Sequence, residues 1–156
     1  MNAIIYRRLE LKDINRFTEL RKLQLIEEGA EAAVDITNQL LDYCNRHLSD
    51  GSFISWVAVD DDEIIATSGM SFIEKPPYYS NPTGRIGLLS SMYTTPAYRR
   101  NGIAKKLLGL VVKEAKENGC GVIHLTASGM GAHLYQDFGF ERRNNFFQYK
   151  INPSRQ

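Results

Sequence analysis

The chain has 156 residues, of which 43% are hydrophobic and 24% are charged, and its formal net charge is +1 at pH 7. This composition is typical of a globular protein, and we expect residues 1–156 to form a single domain with an apolar core. The near-neutral charge argues against binding to nucleic acid or to a membrane surface, and the lack of an apolar span or leader-like segment predicts a cytoplasmic location.

The N-terminal part of the sequence predicts a strand followed by two helices. Residues 4–9 form the strand, and Asp13 is a plausible N-cap for the first helix, which breaks in the acidic, glycine-containing stretch 27–31. The second helix is predicted over 33–48 and is closed by an Asp-Gly pair. The positions on or near the buried sides are Ile14, Phe17, Leu20 and Leu23 in the first helix and Val34, Leu40, Leu41 and Cys44 in the second.

A β-meander is predicted next. Residues 53–59 and 64–73 form two strands, and three consecutive aspartates at 60–62 form the hairpin turn between them. The proline-rich and tyrosine-containing segment 76–84 is too long for a simple hairpin connection. A third strand of the meander follows over 87–94.

The stretch 88–104 carries most of the functional information in the sequence. An apolar strand runs into a proline-containing turn, then into Arg99-x-x-Gly102-x-Ala104, and then directly into an amphipathic helix over 103–117. The first N–H groups of a helix have no intrahelical partner and lie at the positive end of its dipole, and Gly102 lets the backbone approach a ligand. Such an arrangement fits a diphosphate. Taken alone, the motif also fits a basic turn before an ordinary helix.

The C-terminal part predicts a strand, a helix and a final strand. A short buried strand covers 122–126, a glycine-containing break covers 128–131, and a helix carries Tyr135 and ends in the Phe-Gly-Phe of 138–140. Alternating apolar residues predict the last strand over 146–151. The element order therefore predicts a mixed α/β sandwich, with helices on both faces of a central sheet.

Two of these motifs resemble those of the GNAT family of acyl-CoA-dependent N-acyltransferases. The motif at 99–104 is similar to the family's cofactor-binding pattern Arg/Gln-x-x-Gly-x-Gly/Ala, and the Leu-Tyr helix that ends in Phe-Gly-Phe is similar to its second motif. The resemblance covers 86–151 closely and the N-terminal half more loosely. It implies the GNAT-type fold, in which the strands at 87–94 and 122–127 splay apart and admit the pantetheine arm of CoA.

The same resemblance implies an activity. The chain would be an acetyl-CoA-dependent N-acetyltransferase that acts on a primary amine of a small molecule or peptide, and it would be a homodimer, as is common in the family. The alternative is a non-catalytic acyl-CoA-binding module that regulates a partner. That alternative gains weight from a missing carboxylate at Ser90, where many members carry a glutamate that serves as a base.

The resemblance also assigns site residues. Tyr135 would be the general acid that protonates the leaving thiolate of CoA, although a tyrosine in an ordinary helix would simply pack against its neighbours. No histidines or cysteines have metal-ligand spacing, so no metal site is expected. The residues expected to bind acetyl-CoA are Met92, Tyr93, Thr94, Arg99, Arg100, Asn101, Gly102, Ile103, Ala104, Lys105 and Ser128.

The residues that would deprotonate and bind the acceptor amine are less well defined by the sequence. With serine at position 90, the base would be Glu74, a chain of water molecules or bulk solvent, and Glu74 also fits a solvated loop residue. Ser128 stands where the family often has an asparagine that binds the pantetheine, and its hydroxyl retains that capacity. The acceptor wall would include Glu27, Glu28 and Glu31 on one side and Tyr78 and Tyr79 on the other. Carboxylates beside aromatic rings suit a cationic amine, and they equally suit a solvated turn.

Overall fold

The computed structural model describes residues 3–129 and 131–151, which divide into two compact units with the division between Thr126 and Ala127. The first unit contains the sheet and three helices, and the second contains one helix. The elements are β1 (Ile5–Arg8), α1 (Ile14–Glu27), α2 (Thr37–Asp50), β2 (Phe53–Ile54), β3 (Trp56–Asp60), β4 (Glu63–Glu74), β5 (Arg85–Thr94), α3 (Ile103–Glu117), β6 (Val122–His124) and α4 (Ala132–Phe138). Two 3-10 turns, Leu11–Asp13 and Pro96–Tyr98, precede α1 and α3. No helix of the described ranges is long and apolar enough to cross a membrane.

The strands form one mixed sheet in the order β1-β3-β4-β5-β6, with β2 paired to β4. All neighbouring pairs are antiparallel except β5 and β6, which are parallel. The predicted hairpin between β3 and β4 is confirmed. Asp61 and Asp62 both have positive φ, 52° and 65°, as a two-residue turn that matches the strand twist requires.

Helices cover both faces of the sheet, as predicted. Val57 and Val59 of β3 face one apolar cluster together with Phe17 of α1 and Cys44 of α2. Ala58, whose side chain points to the opposite face, belongs to a second cluster with the buried side chains of α3. The alternation of β3 therefore separates the core into two layers.

Strand β6 pairs with only the first part of β5. Their parallel pairing covers only Ile86 to Leu88 on β5, and it ends where Leu88 lies opposite His124. Beyond that point, no described strand pairs with this edge of β5 over residues 89–94. β6 ends at His124, its last residue paired with β5, and not at 126 as expected, so the divergence of two strands beyond this point stays a prediction.

The second helix begins four residues later than predicted. Asp35 accepts hydrogen bonds from the Thr37 backbone N–H at 3.0 Å and from the Thr37 hydroxyl at 2.6 Å, which stops the helix from extending further toward the N-terminus. Val34, predicted on the buried side, lies outside the helix and is 70% exposed. Leu23 of α1 is likewise exposed, whereas the expected core positions Phe17 and Leu20 are buried.

The predicted terminal strand over 146–151 is wrong. The structure describes all of these residues, and none of them lies in a strand or helix. Phe147, Tyr149 and Ile151 are almost fully exposed. Alternation establishes only that a segment suits a pleated surface, and a strand also needs a neighbouring edge for its backbone hydrogen bonds.

Candidate active site

The turn that leads into α3 has the backbone conformation of an anion-binding site. Arg100 and Gly102 both have positive φ, 64° and 76°, and Gly102 is the N-cap residue of the helix. No side chain from the described ranges accepts a hydrogen bond at this cap. The first backbone N–H groups of α3 are therefore available to an external acceptor at the positive end of the helix dipole.

A cavity of about 390 Å³ adjoins this turn, and its lining residues are Gly102, Lys105, Lys106, Gly109 and Leu110. A Cβ atom added at Gly102 would meet no heavy atom of the described chain within 4 Å, so the space in front of this glycine is open. Both lysines are exposed and add positive charge to the rim. The residues present therefore fit the diphosphate of an acyl-CoA in size, charge and backbone geometry.

The conformation of the turn is held by local contacts. Asn101 donates hydrogen bonds from its side-chain amide to the carbonyl groups of Tyr98 and Arg99, each at 3.1 Å. Ile103 is buried and anchors the first turn of α3 in the core, while Ala104 is only partly buried. The predicted stretch 99–105 thus forms one continuous turn and helix start.

The side chain of Arg99 contacts two other residues of the protein and is not free to act only on a ligand. Its Nη2 lies 2.7 Å from Oε1 of Glu27, and its Nε donates to the carbonyl of Thr94 at 2.8 Å. Glu27 also accepts a hydrogen bond from the hydroxyl of Tyr93 at 2.9 Å. Two hydrogen bonds, the stronger effect from Arg99 and the weaker from Tyr93, hold the pKa of Glu27 below its ordinary value. The pKa of Tyr93 is raised, mainly by burial and next by its hydrogen bond to Glu27. Glu27, considered from the sequence for the acceptor wall, instead ties the end of α1 to the end of β5.

Strand β5 has a bulge next to the predicted acyl-binding residues. Thr67 of β4 pairs with Tyr93 and Gly69 pairs with Ser90, so β5 has one more residue than β4 between these two pairs. Within this bulge, Ser91 adopts a positive φ of 58°. The Thr67 hydroxyl donates to the carbonyl of Ser91 at 2.8 Å, and the buried Gln24 side chain donates to the carbonyl of Met92 at 3.2 Å. Bulges of this kind re-aim backbone groups and are common beside active sites. Neither Gln24 nor the bulge is predicted by the sequence pattern.

Glu74 lies far along the sheet from Met92, Tyr93 and Thr94, the residues expected to bind the acyl arm. It is paired across the sheet with Arg85, at the start of β5, and the two side chains form an ion pair at 3.2 Å. Met92 is seven residues further along β5, a distance of about 23 Å at the usual rise per residue. Glu74 is therefore remote from the residues expected to bind the acyl group, and we do not expect it to be the base.

In the second unit, Ser128, Gly131 and Tyr135 lie close together. A Cβ atom added at Gly131 would lie 3.1 Å from Cε2 of Tyr135 and 3.5 Å from Oγ of Ser128. The Tyr135 ring also contacts the ring of Phe140, with 5.8 Å between their centroids. Met130, part of the predicted break, lies outside the described residues, and among those described no group of metal-ligating side chains is present.

Comparisons with known proteins agree with this geometry. A model of the acetyltransferase (GNAT) family matches residues 14–140. A predicted acetyltransferase from Clostridium acetobutylicum, whose crystal structure contains acetyl-CoA, is 39% identical, with a TM-score of 0.92 over 95% of this chain and 96% of that chain. A GCN5-related N-acetyltransferase from Ralstonia eutropha is 26% identical, with a TM-score of 0.88 over 96% and 99% of the two chains.

A third match is to the uncharacterised N-acetyltransferase YsnE of Bacillus subtilis, with 26% identity over 64% of this chain. The match spans 63% of that relative's length, which is less than two thirds.

Proposed function

Because this chain belongs to the GNAT family of acetyl-CoA-dependent N-acetyltransferases, we propose that it transfers the acetyl group of acetyl-CoA to a primary amine of a small molecule or peptide. The observation that carries the proposal is the uncapped start of α3, where Arg100 and Gly102 share left-handed conformations beside a lysine-lined cavity. We assign the diphosphate of acetyl-CoA to this turn. The contributing residues would be Arg100, Asn101, Gly102, Ile103, Ala104 and Lys105, with Arg99 positioning Thr94 and the end of α1.

The proposed site for the pantetheine arm is the edge of β5 beyond Leu88, with which no described strand pairs. An extended pantetheine carries amides that can add to a strand edge, and Met92, Tyr93 and Thr94 lie beyond the last pair that β5 forms with β6. Ser128 supplies a hydroxyl for a further hydrogen bond. When acetyl-CoA and the amine are both bound in place, the bimolecular reaction becomes effectively unimolecular, which contributes much of the rate enhancement.

The reaction requires one new bond and two proton transfers. The neutral amine nitrogen attacks the thioester carbonyl carbon, the carbon–sulfur bond breaks, one proton leaves the amine, and one proton reaches the departing thiolate. We assign the second transfer to Tyr135, because a phenol is a suitable general acid for a thiolate. A backbone N–H of β5 near the bulge would stabilise the negative charge on the carbonyl oxygen.

A screen of free-thiol release from acetyl-CoA tests the proposal. The acceptor panel contains polyamines, amino acids, aminoglycosides and peptides with free N-termini. Thiol release above the hydrolytic background with at least one amine, together with an acetylated product of the expected mass, is the expected result. Tight binding of acetyl-CoA without turnover on any amine would favour the regulatory module instead, which serine at position 90 already makes the second candidate.

The pH dependence of the reaction follows from the missing strand carboxylate. With Ser90 at that position and Glu74 remote, we expect no enzyme base, so the rate at subsaturating acceptor should rise with pH up to the pKa of the acceptor's own amine. Glu27 should add no pH dependence of its own near neutral pH, since its pKa is lowered and it is already ionised there. An acceptor whose amine has a lower pKa should shift the pH–rate profile to lower pH by the difference between the two amine pKa values. Glu74→Gln should leave the profile unchanged. A limb fixed at about pH 6–7 for every acceptor would reveal a base and contradict the prediction.

The proposal also includes a homodimer and a cytoplasmic location, with no nucleic-acid or membrane partner. The homodimer is proposed because dimers are common in the family. The near-neutral charge of the chain supports the absence of nucleic-acid and membrane partners. Sedimentation equilibrium with and without CoA measures the oligomeric state directly, and a monomer under both conditions would remove the dimer from the proposal.

A further inference from the structure

Arg21 on α1 is a partly buried cation that pairs with no carboxylate in the part of the chain that the structure describes. Its described contact is a hydrogen bond from Nη1 to the side-chain oxygen of Gln24 at 3.0 Å. None of the described carboxylates lies within ion-pairing distance of it. Four of the guanidinium's five N–H groups therefore have no protein acceptor among the described residues.

The other arginines in a similar environment differ from Arg21. Four arginines of the described ranges are partly buried, and three of them are paired with acids. These pairs are Arg7 with Asp13, Arg16 with Glu19 and Glu63, and Arg85 with Glu74. Removing a guanidinium from water costs free energy, which a paired carboxylate normally offsets. Arg21 is therefore the exception among the partly buried arginines that the structure describes. Burial lowers the pKa of its side chain, against a smaller opposing effect of Glu28.

The position of Arg21 links it to β5. Gln24, which accepts the hydrogen bond from Arg21, donates from its Nε2 to the carbonyl of Met92 and to Oε2 of Glu28, each at 3.2 Å. Gln24 is buried, so its side-chain amide is held in one place between the helix and the strand. The guanidinium thus lies two hydrogen bonds away from the strand segment assigned to the acyl arm. A group bound at Arg21 would be held on the α1 side of that segment.

We propose that Arg21 binds a carboxylate of the acceptor, which makes the acceptor an amino acid or a closely related aminocarboxylate. The planar fork of a guanidinium matches a carboxylate through two parallel hydrogen bonds. A partly desolvated fork with no acidic partner among the described residues gains most from such a ligand. This inference rests on the proposed function, because it identifies the second substrate of the same site.

Paired acceptors test the inference. Free amino acids are compared with their own α-carboxamides as substrates, with the kcat/KM ratio of acid to amide as the readout. Removing the carboxylate lowers the pKa of the neighbouring amine and increases its neutral fraction, so intrinsic reactivity favours the amide. A preference for the acid therefore reports recognition of the carboxylate. We expect wild type to prefer at least one acid over its amide.

Substitution then identifies the responsible residue. Arg21→Met should reduce the acid-to-amide ratio by about tenfold, mainly through KM of the acid, and Arg21→Lys should restore part of it. Lys22→Met removes a cation from the adjacent position, where Lys22 contacts Thr37, and should leave the ratio unchanged. Equal use of acids and amides by wild type, or an unchanged ratio in Arg21→Met, would overturn the inference.

Two further measurements distinguish a structural role of Arg21 from a failure of the proposed acetyltransferase function. Arg21→Met breaks no ion pair among the described residues and removes a partly desolvated charge, so its thermal unfolding midpoint should be no lower than that of wild type. A lower midpoint with an unchanged ratio would assign Arg21 a purely structural role. If no amine is turned over, the proposed function fails, and binding is measured by the thermal shift that the same acids and amides cause in the CoA-loaded protein. A shift by acids alone, lost in Arg21→Met, would support the carboxylate site, and equal shifts would reject it.

Discussion

Replacing Tyr135 by phenylalanine should lower the rate of acetyl transfer by about 10²–10⁴-fold, the usual contribution of a general acid. The affinity for acetyl-CoA should change little, because only the hydroxyl is removed. The ring contact with Phe140, at a centroid distance of 5.8 Å, can be kept by phenylalanine. Single-turnover rates and calorimetric titration with CoA measure the two quantities separately.

A matched control is available in the same unit. Tyr149 is 91% exposed, and Tyr149→Phe removes the same hydroxyl from a position with no assigned role. This variant should retain the wild-type rate. A wild-type rate in Tyr135→Phe would mean that another group, or water, protonates the thiolate. A loss of CoA binding equal to the loss of rate would assign Tyr135 to binding and not to acid catalysis.

Replacing Gly102 by valine should weaken CoA binding by at least tenfold, or about 1.4 kcal/mol. The new side chain would occupy the open space in front of the first N–H groups of α3, where the diphosphate is proposed to lie. It would also strain the backbone, since a left-handed conformation disfavours a residue with a Cβ by roughly 1–2 kcal/mol. Some loss of stability is therefore expected in addition to the loss of affinity.

Gly51→Val separates these two effects. Gly51 ends α2 with a φ of 79°, close to the 76° of Gly102, and a Cβ atom there would also meet no described heavy atom within 4 Å. Both variants should therefore lose a similar amount of unfolding free energy, and only Gly102→Val should lose CoA affinity. Equal affinities in the two variants, measured by calorimetry below the unfolding temperature, would remove the diphosphate from this turn.

The features that the sequence predicted well are those that depend on neighbouring residues. Helix α3 was predicted over 103–117 and is observed as Ile103–Glu117, because its apolar period and its glycine at each end act within a few residues. The Asp61-Asp62 hairpin follows in the same way from local turn chemistry. The turn at 99–104 was identified for a similar reason, since a helix start and a glycine in a left-handed conformation are local features.

The features that only the tertiary structure decided depend on residues far apart in the chain. The alternation over 146–151 did not produce a strand, because pairing needs a partner edge that no local pattern specifies. The ion pair between Glu27 and Arg99 and the contact between Gln24 and Met92 join α1 to residues some seventy positions later. A charge in a sequence shows only that a partner is needed, and the fold decides whether that partner is a carboxylate of the chain. The fold brings Glu27 within reach of Arg99. Among the described residues it brings only the Gln24 amide to Arg21, which is the physical reason why we expect a carboxylate from a substrate there.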